Sequence, residues 1–160
     1  MNTALVGVIQ NDDVRIFINE KVYKQLHTFA QEDVSNERGS FLIGKSIIED
    51  ATICTYITGF IEAKHTEASP VSLTFTHETW NSVHQELAAN FPNERIMGWQ
   101  HTHPGLGVFL SSYDLFIHEN YFDLPFLIAL VIDPVRNQDG FFQWKNGKIE
   151  QLRGFYIVCE

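Results

Sequence analysis

The sequence lacks most of the features that mark secreted, membrane-spanning or nucleic-acid-binding proteins. It has only two cysteines, Cys54 and Cys159, and no Cys-x-x-Cys spacing, so we expect neither a disulfide framework nor a cysteine-rich structural zinc site. No apolar run reaches the ~18 residues that a membrane span needs. Lysine and arginine together number 11 against 20 acidic residues, and the formal net charge is −9, which argues against a nucleic-acid partner.

The first ten residues also lack the pattern of a targeting segment. They contain no basic region, and Asp12 and Asp13 follow at once, which is not typical of a secretory signal peptide. We therefore expect a cytoplasmic protein. A chain of 160 residues that is 44% hydrophobic and 13% aromatic is typical of one globular domain, which we expect to span residues 1–160.

The periodicity of the apolar residues predicts a mixed α+β domain. The loop at 62–70 contains His65 and Glu67, which we interpret as loop residues that could help to hold a substrate tail, not as a metal pair. The predicted order of elements indicates a curved, mostly antiparallel sheet flanked by helices. Strands are expected at 14–19, 39–48, 51–61, 71–75, 95–100, 126–132, 141–144 and 149–158, and helices at 20–32, at 77–90 and from Ser111 onward.

Two histidines give the strongest chemical signal. His101 and His103 lie two residues apart at the end of a predicted strand, so their side chains point to the same face. Pro104 ends the strand, and Asp114 follows in the first turn of a predicted helix. Two imidazoles and one carboxylate suit a catalytic zinc ion, which uses three protein ligands and keeps a fourth position open for water. A carboxylate outside this set would then serve as general base.

Each half of this pattern also has a purely structural interpretation. Ser111 and Asp114 have a spacing close to that of an N-terminal capping box, in which both side chains only bind backbone amides of the helix. A His-x-His pair on a strand can be a hydrogen-bonded surface feature. The two halves together, at this spacing, favour the metal site.

The same residues carry a family resemblance. The pattern His101-x-His103-Pro104, followed by Ser111-x-x-Asp114, resembles the signature of the JAMM metalloproteases, which are the catalytically competent MPN domains of the Mov34/PAD-1 family. That family also has a glutamate far upstream, before a short apolar segment that ends in glycine. Glu37 and residues 38–44 match this feature, with a serine at position 40 in place of the more usual glycine.

The resemblance covers the chain from the first predicted helix to about Trp144. It implies an MPN (JAB) fold, related in layout to the zinc deaminases. It further implies one catalytic zinc ion, with Glu37 as general base and Ser111 as oxyanion stabiliser. The implied zinc ligands are His101, His103 and Asp114.

The resemblance also indicates a substrate class. Members of the family cleave isopeptide or peptide bonds after the glycine-rich C-terminus of ubiquitin or ubiquitin-like proteins, so we expect a ubiquitin-like protein or its conjugate as partner. Residues 109–115 are similar to a linkage-selective eukaryotic branch that binds a second zinc ion through a long insertion. Here Phe116 stands where one of its histidines would fall and the insertion is missing, so the chain looks more like the small stand-alone prokaryotic members.

Two alternatives within the family remain open. The chain could be a processing peptidase for a sulfur-carrier or ubiquitin-like precursor. It could instead be an MPN scaffold that retains zinc and needs a partner to become active. A nucleobase deaminase would use His/Cys/Cys zinc ligands with a glutamate two residues after the histidine, and neither feature occurs here.

Overall fold

A nine-stranded sheet with helices on both faces forms the body of the molecule. The structure is a computed structural model, and it describes residues 1–159. In chain order the elements are β1 (Asn2–Gly7), β2 (Arg15–Asn19), α1 (Glu20–Gln31), β3 (Gly39–Glu49), β4 (Thr52–Glu62), β5 (Glu67–Ala68), β6 (Leu73–Thr74), α2 (His77–Asn90), β7 (Arg95–Thr102), α3 (Ser112–Tyr121), β8 (Ile128–Asp133), β9 (Gln138–Lys145), β10 (Lys148–Gln151) and β11 (Gly154–Cys159).

The strand order in the large sheet is β1-β11-β2-β4-β3-β7-β8-β9-β10. Five of its eight neighbouring pairs are antiparallel. The other three, β11/β2, β2/β4 and β7/β8, are parallel. The mixed, mostly antiparallel sheet predicted from the sequence is therefore confirmed. The short strands β5 and β6 form a separate two-stranded ribbon.

Alternation along the central strands divides the interior into two apolar clusters. On β3, Leu42 belongs to one cluster, while Phe41 and Ile43 belong to the other. Because successive strand residues point to opposite faces, the clusters lie on opposite sides of the sheet. Helix α1 packs its apolar stripe into the first cluster through Leu26, and α2 and α3 cover the second. This second side is the one that carries the two histidines.

The helix starts follow from their N-terminal caps. Asn19 accepts hydrogen bonds from the first amides of α1, and Thr76 forms a capping box with Thr79 at the start of α2. Ser111 forms the equivalent box at the start of α3. Each cap satisfies amides that the helix itself leaves without partners, so the predicted helix starts are confirmed. Among residues 1–159, no helix is both long enough and apolar enough to cross a membrane.

Two predictions at the sheet edges are wrong. The sequence analysis identifies no strand before residue 14, whereas β1 pairs along its whole length with β11. The single strand expected at 149–158 is two strands, of which β10 pairs with β9 and β11 with β1 and β2. The chain bends between them because the Leu152 side chain is buried and its amide donates to the carbonyl of Phe141, 2.8 Å away.

Candidate metal centre

His101 and His103 lie where β7 ends between β3 and β8. His101 stands opposite Gly39 on β3 and Val131 on β8. The main chain remains anchored beyond the strand, since the His103 amide donates to the Ile132 carbonyl at 2.9 Å. Both imidazoles therefore point to the same face of the sheet, and both are almost completely buried. Their side-chain Nε2 atoms are 3.0 Å apart.

Asp114 enters from the first turn of α3. Its Oδ2 lies 3.0 Å from His101 Nε2 and 3.1 Å from His103 Nε2. The same oxygen accepts the Ser111 amide at 2.9 Å, and the Asp114 amide donates to Ser111 Oγ at 3.2 Å. The capping box expected for this segment is therefore confirmed, and it directs the Asp114 carboxylate toward the two histidines.

Glu37 completes the group from the chain just before β3. Its amide donates to the Ser69 carbonyl at 2.9 Å, which ties this approach to the loop ahead of β6. Its side chain is only 2% exposed, and Oε1 has no hydrogen-bond partner among the described residues. One ligand atom from each of Glu37, His101, His103 and Asp114 lies within 4.8 Å of the others. We call these the four-residue group.

The donor atoms of the four-residue group fit a divalent cation. His103 Nδ1 lies 3.1 Å from the Gly107 carbonyl, and only a protonated Nδ1 can donate there, so a neutral His103 turns the Nε2 lone pair toward Asp114. The histidine and Asp114 atoms, 3.0–3.1 Å apart, approach the ~3.3 Å that separates ligands around a tetrahedral zinc ion with bonds of ~2.0–2.1 Å. Lone pairs that face one another in a buried site favour a bound cation, and imidazole with carboxylate is a typical zinc donor set.

The electrostatics separate the two carboxylates. Burial raises the pKa of Asp114, but the His101 charge and the hydrogen bonds from both rings and from the Ser111 amide outweigh it and hold that pKa well below its usual range. Burial raises the pKa of Glu37 to about 7; His103 opposes this rise and Asp114 adds to it. Asp114 is therefore a permanent anion, whereas Glu37 can exchange a proton near neutral pH.

The histidines also differ from each other. Burial lowers the pKa of His101, and the nearby Asp114 carboxylate only partly compensates. For His103 the balance is reversed: burial lowers the pKa, but the hydrogen bond and charge of Asp114 raise it above its usual value. A metal ligand must be neutral at Nε2, so we expect cation binding to displace a proton mainly from His103.

Two residues that the sequence analysis did not single out hold the His101 ring. The Trp99 ring is parallel to it, with centroids 4.4 Å apart and an interplanar angle of 8°. Trp99 Nε1 in turn donates to His118 Nδ1 at 3.0 Å, and both side chains are fully buried. The spacing contained the signal, because Trp99 precedes His101 by two strand positions and His118 follows Asp114 by one helical turn.

Three further histidines lie apart from this group, and for His65 this agrees with its interpretation as a loop residue. His65 is exposed and lies 3.7 Å from Glu78, and Glu67 does not join it. His77 contacts Asn81, whereas His84 packs on Trp80. Within residues 1–159, the four-residue group is the one cluster of three or more metal-binding side chains. Only six residues, 122–127, connect α3 to β8, so the long insertion of the linkage-selective branch is missing.

Comparison with known proteins points to one family. The model of the JAB1/Mov34/MPN/PAD-1 ubiquitin protease family matches residues 16–124, which is more than half of the chain. The matched segment contains all four residues of the group and Ser111. It ends earlier than the resemblance expected from the sequence, which extended to about Trp144.

Individual relatives match over parts of their length. An NAD(+) hydrolase TcpA from Theionarchaea archaeon is 30% identical over 96 residues, covering 54% of this chain and 29% of that protein. The AMSH-like ubiquitin thioesterase 2 of Arabidopsis thaliana is 29% identical over 116 residues, covering 66% of this chain and 52% of that protein. The chain thus spans less than a third of the first relative and about half of the second.

A solved structure matches almost the whole chain. The solution structure of a protein from Desulfitobacterium hafniense has a TM-score of 0.65 and covers 91% of this chain, while 92% of that protein is covered in return. Its sequence identity is 16%, so the likeness concerns the fold. Together with the family match, it confirms the α+β fold expected from the sequence.

Proposed function

We propose that this chain, which belongs to the JAB1/Mov34/MPN/PAD-1 ubiquitin protease family, is a zinc-dependent peptidase that hydrolyses the peptide or isopeptide bond after the C-terminus of a ubiquitin-like protein. The observation that carries the proposal is the buried convergence of Glu37, His101, His103 and Asp114. In a protein that only used the fold as a scaffold, nothing would require three lone-pair donors and a second carboxylate to share a dry site.

The roles follow from the chemistry of each side chain. His101, His103 and Asp114 would hold the ion, and bound zinc supplies a water that is acidic enough to ionise near neutral pH and polarises the scissile carbonyl. Glu37 is the proton carrier in this proposal. Its buried carboxylate, whose pKa burial raises, can accept a proton from the attacking water and return that proton to the departing amine.

Ser111 is the proposed oxyanion donor. Its amide and Oγ are both engaged with Asp114, but Oγ acts there as acceptor, which leaves the hydroxyl hydrogen free to donate. A hydrogen bond to the developing oxyanion stabilises the transition state more than the ground state, and one such donor is worth roughly 3–4 kcal/mol. The capping box fixes Ser111 relative to Asp114, so the donor and a metal ligand move as one unit.

The burial of the site supports a slender substrate. Each member of the four-residue group is at most 2% exposed, and Phe109 packs against the His103 ring with centroids 4.7 Å apart while remaining 43% exposed at the surface. An extended tail of small residues can enter such a site, whereas a folded surface cannot. The glycine-rich C-terminus of a ubiquitin-like protein has this form.

The test is incubation of the zinc-loaded protein with two kinds of substrate. One is a ubiquitin-like protein with a C-terminal peptide extension, and the other is an isopeptide conjugate on lysine. We expect cleavage directly after the ubiquitin-like C-terminus, loss of cleavage with a chelator, and recovery on readdition of zinc. Preference for the extension would indicate precursor processing, and preference for the conjugate would indicate deconjugation.

Two variants sharpen this experiment. Glu37→Gln removes the proton carrier but none of the three proposed zinc ligands, so it should retain zinc and lose most turnover. Glu119→Gln makes the same chemical change at an exposed position of α3 and should leave turnover unchanged. A Glu37→Gln protein with normal turnover contradicts the proposed mechanism. A zinc-loaded wild-type protein that cleaves neither substrate alone, but does so with a partner protein, would instead fit the scaffold alternative.

A further inference from the structure

We propose that Asp133 is a positioning residue that sets the orientation and tautomer of His103 through the loop at 104–108. The inference rests on the proposed function to the extent that it takes His103 as a metal ligand. Asp133 is the last residue of β8, is fully buried and does not belong to the four-residue group. Because Asp133 lies 30 residues after His103 in the chain, the sequence does not show that the two residues are linked by hydrogen bonds.

The position of Asp133 follows from the parallel pairing of β7 and β8. Thr102 stands opposite Ile132, and the His103 amide donates to the Ile132 carbonyl at 2.9 Å. The next residue on β8 is Asp133, which therefore lies beside the point where the chain leaves His103 and turns. A carboxylate at this point can bind the backbone of the turning loop.

The Asp133 carboxylate accepts four backbone amides. Oδ1 accepts the amides of Val135 and Arg136, both at 3.0 Å, which close the local turn after β8. The other two amides belong to the loop that follows His103: Gly105 donates to Oδ1 at 2.9 Å, and Gly107 donates to Oδ2 at 2.8 Å. Amide bonds to an ionised, buried carboxylate are among the stronger hydrogen bonds in proteins. Within the turn at 134–136, Oδ2 has only a long ion-pair contact with Arg136 Nε at 3.7 Å, so its short hydrogen bond is the one from the Gly107 amide.

Gly107 links Asp133 to His103 through two hydrogen bonds. The Gly107 carbonyl lies 3.1 Å from His103 Nδ1, so one residue both donates to Asp133 and accepts from the histidine. Gly105 and Gly107 have φ of +74° and +89°, a left-handed conformation that glycine adopts without strain. Asp133 thus anchors both flexible points of the loop. With the Gly107 carbonyl fixed, His103 keeps its proton on Nδ1 and presents Nε2 to Asp114.

Asp133→Asn removes the hydrogen bond from the Gly107 amide and can leave the other three in place. The asparagine keeps one acceptor oxygen, which can remain with the three amides at the Oδ1 position. Its NH2 group then faces the Gly107 amide, donor against donor, and the loop must shift at Gly107. The matched control is Asp13→Asn, since Asp13 is also a buried carboxylate that accepts a backbone amide, from Gln10 at 2.9 Å, but it lies at the far end of β9 from the site.

The experiment measures metal affinity by competition with a chromophoric chelator, and the Co2+ absorption spectrum, for the wild type and both variants. Loss of a residue that orients a metal-binding histidine typically lowers affinity 10- to 100-fold. We expect a drop of about this size and an altered Co2+ spectrum for Asp133→Asn, whereas Asp13→Asn should keep both despite its lower stability. Wild-type affinity and spectrum in a folded Asp133→Asn protein overturn the proposal.

A second measurement needs no variant. Nitrogen NMR of the imidazoles in the zinc-loaded wild-type protein reports which ring nitrogen of His103 carries the proton once the metal has displaced the other one. We expect the proton on Nδ1, where the Gly107 carbonyl accepts it; a proton on Nε2 overturns the proposal even if Asp133→Asn does not fold. A wild-type protein that binds Co2+ but cleaves no ubiquitin-like substrate contradicts the proposed function, while the affinity comparison still decides the role of Asp133.

Discussion

Replacing His118 by phenylalanine tests how the Trp99 ring is held against His101. His118 is fully buried, and its Nδ1 accepts the Trp99 indole N–H at 3.0 Å. Phenylalanine has a similar size and can keep the stacked contact with Phe122, where the ring centroids are 5.8 Å apart. It has no acceptor, so the variant leaves one buried indole N–H without a partner.

The expected magnitude depends on pH in a defined way. An unpaired buried donor costs ~1–3 kcal/mol, so at pH 7.5 we expect the variant to be less stable by ~2 kcal/mol. Burial lowers the pKa of His118 to about 4, with the His101 charge acting in the same direction and the Leu127 carbonyl opposing it. As pH falls below ~6.5, the unfolded chain therefore binds a proton that the folded wild type does not, and the wild type loses up to ~1.4 kcal/mol per pH unit until about pH 4.

The variant escapes this loss because it has no imidazole at position 118. The difference in unfolding free energy should therefore shrink below pH 6.5, vanish near pH ~5 and change sign below that. The assay is urea unfolding in the presence of a chelator at several pH values between 7.5 and 4.5. His84→Phe, at an exposed position that packs on Trp80, is the control and should stay within ~0.5 kcal/mol of the wild type at pH 7.5. A His118→Phe deficit that is absent at pH 7.5, or that does not change with pH, refutes this reasoning.

Three further changes have definite expected outcomes. Gly98→Ala should destabilise the protein by ~3 kcal/mol in urea unfolding, because its Cβ would lie 1.9 Å from the Ile128 carbonyl oxygen and would force β7 and β8 apart; wild-type stability would show that the strands do not pack this closely. Asp13→Asn should lower the free energy of unfolding by ~1–3 kcal/mol at pH 7 and by less toward pH 3. Burial raises the Asp13 pKa, but the hydrogen bonds from the Gln10 amide and from Gln143 outweigh it and lower that pKa. The carboxylate therefore stabilises the fold fully above its ordinary pKa, and this stabilisation is lost as the pH falls through the lowered pKa. Ser111→Ala should lower kcat ~100-fold and, separately, reduce the free energy of unfolding by ~1 kcal/mol because the helix cap is lost. Ser111→Thr keeps the hydroxyl and should restore turnover. A wild-type kcat in the alanine variant would remove Ser111 from the mechanism.

The convergence of His101, His103 and Asp114 could be predicted because short-range geometry determines it. A strand places residues i and i+2 on one face, which relates His101 to His103, and the capping box fixes Asp114 in the first turn of α3. Glu37 is different, since no local pattern separates it from other acidic residues at strand entrances. Only the family resemblance assigned Glu37 to the site. In the structure, the antiparallel pairing of β3 with β7 brings it there.

The unpredicted features depend on pairings between distant segments. Residues 149–158 contain no proline and no Asn-Gly or Asp-Gly turn, so the sequence gives little sign that the chain stops pairing with β9 after Gln151 and returns beside β1. The sequence shows Asp133 only as the residue before Pro134, a common turn start, since the loop that it binds lies beside it only through the parallel β7/β8 pairing. The position of His118 one helical turn after Asp114 is visible in the sequence, but its hydrogen bond to Trp99 depends on the packing of α3 against β7.

Zinc-edge anomalous diffraction from crystals of the zinc-loaded protein is the most direct test of the central claim. The account predicts one strong peak within bonding distance of His101 Nε2, His103 Nε2 and Asp114 Oδ2, with the Glu37 carboxylate close to it but outside that set of ligands. No peak at this position in zinc-saturated crystals, or a peak held by other side chains, would contradict the account.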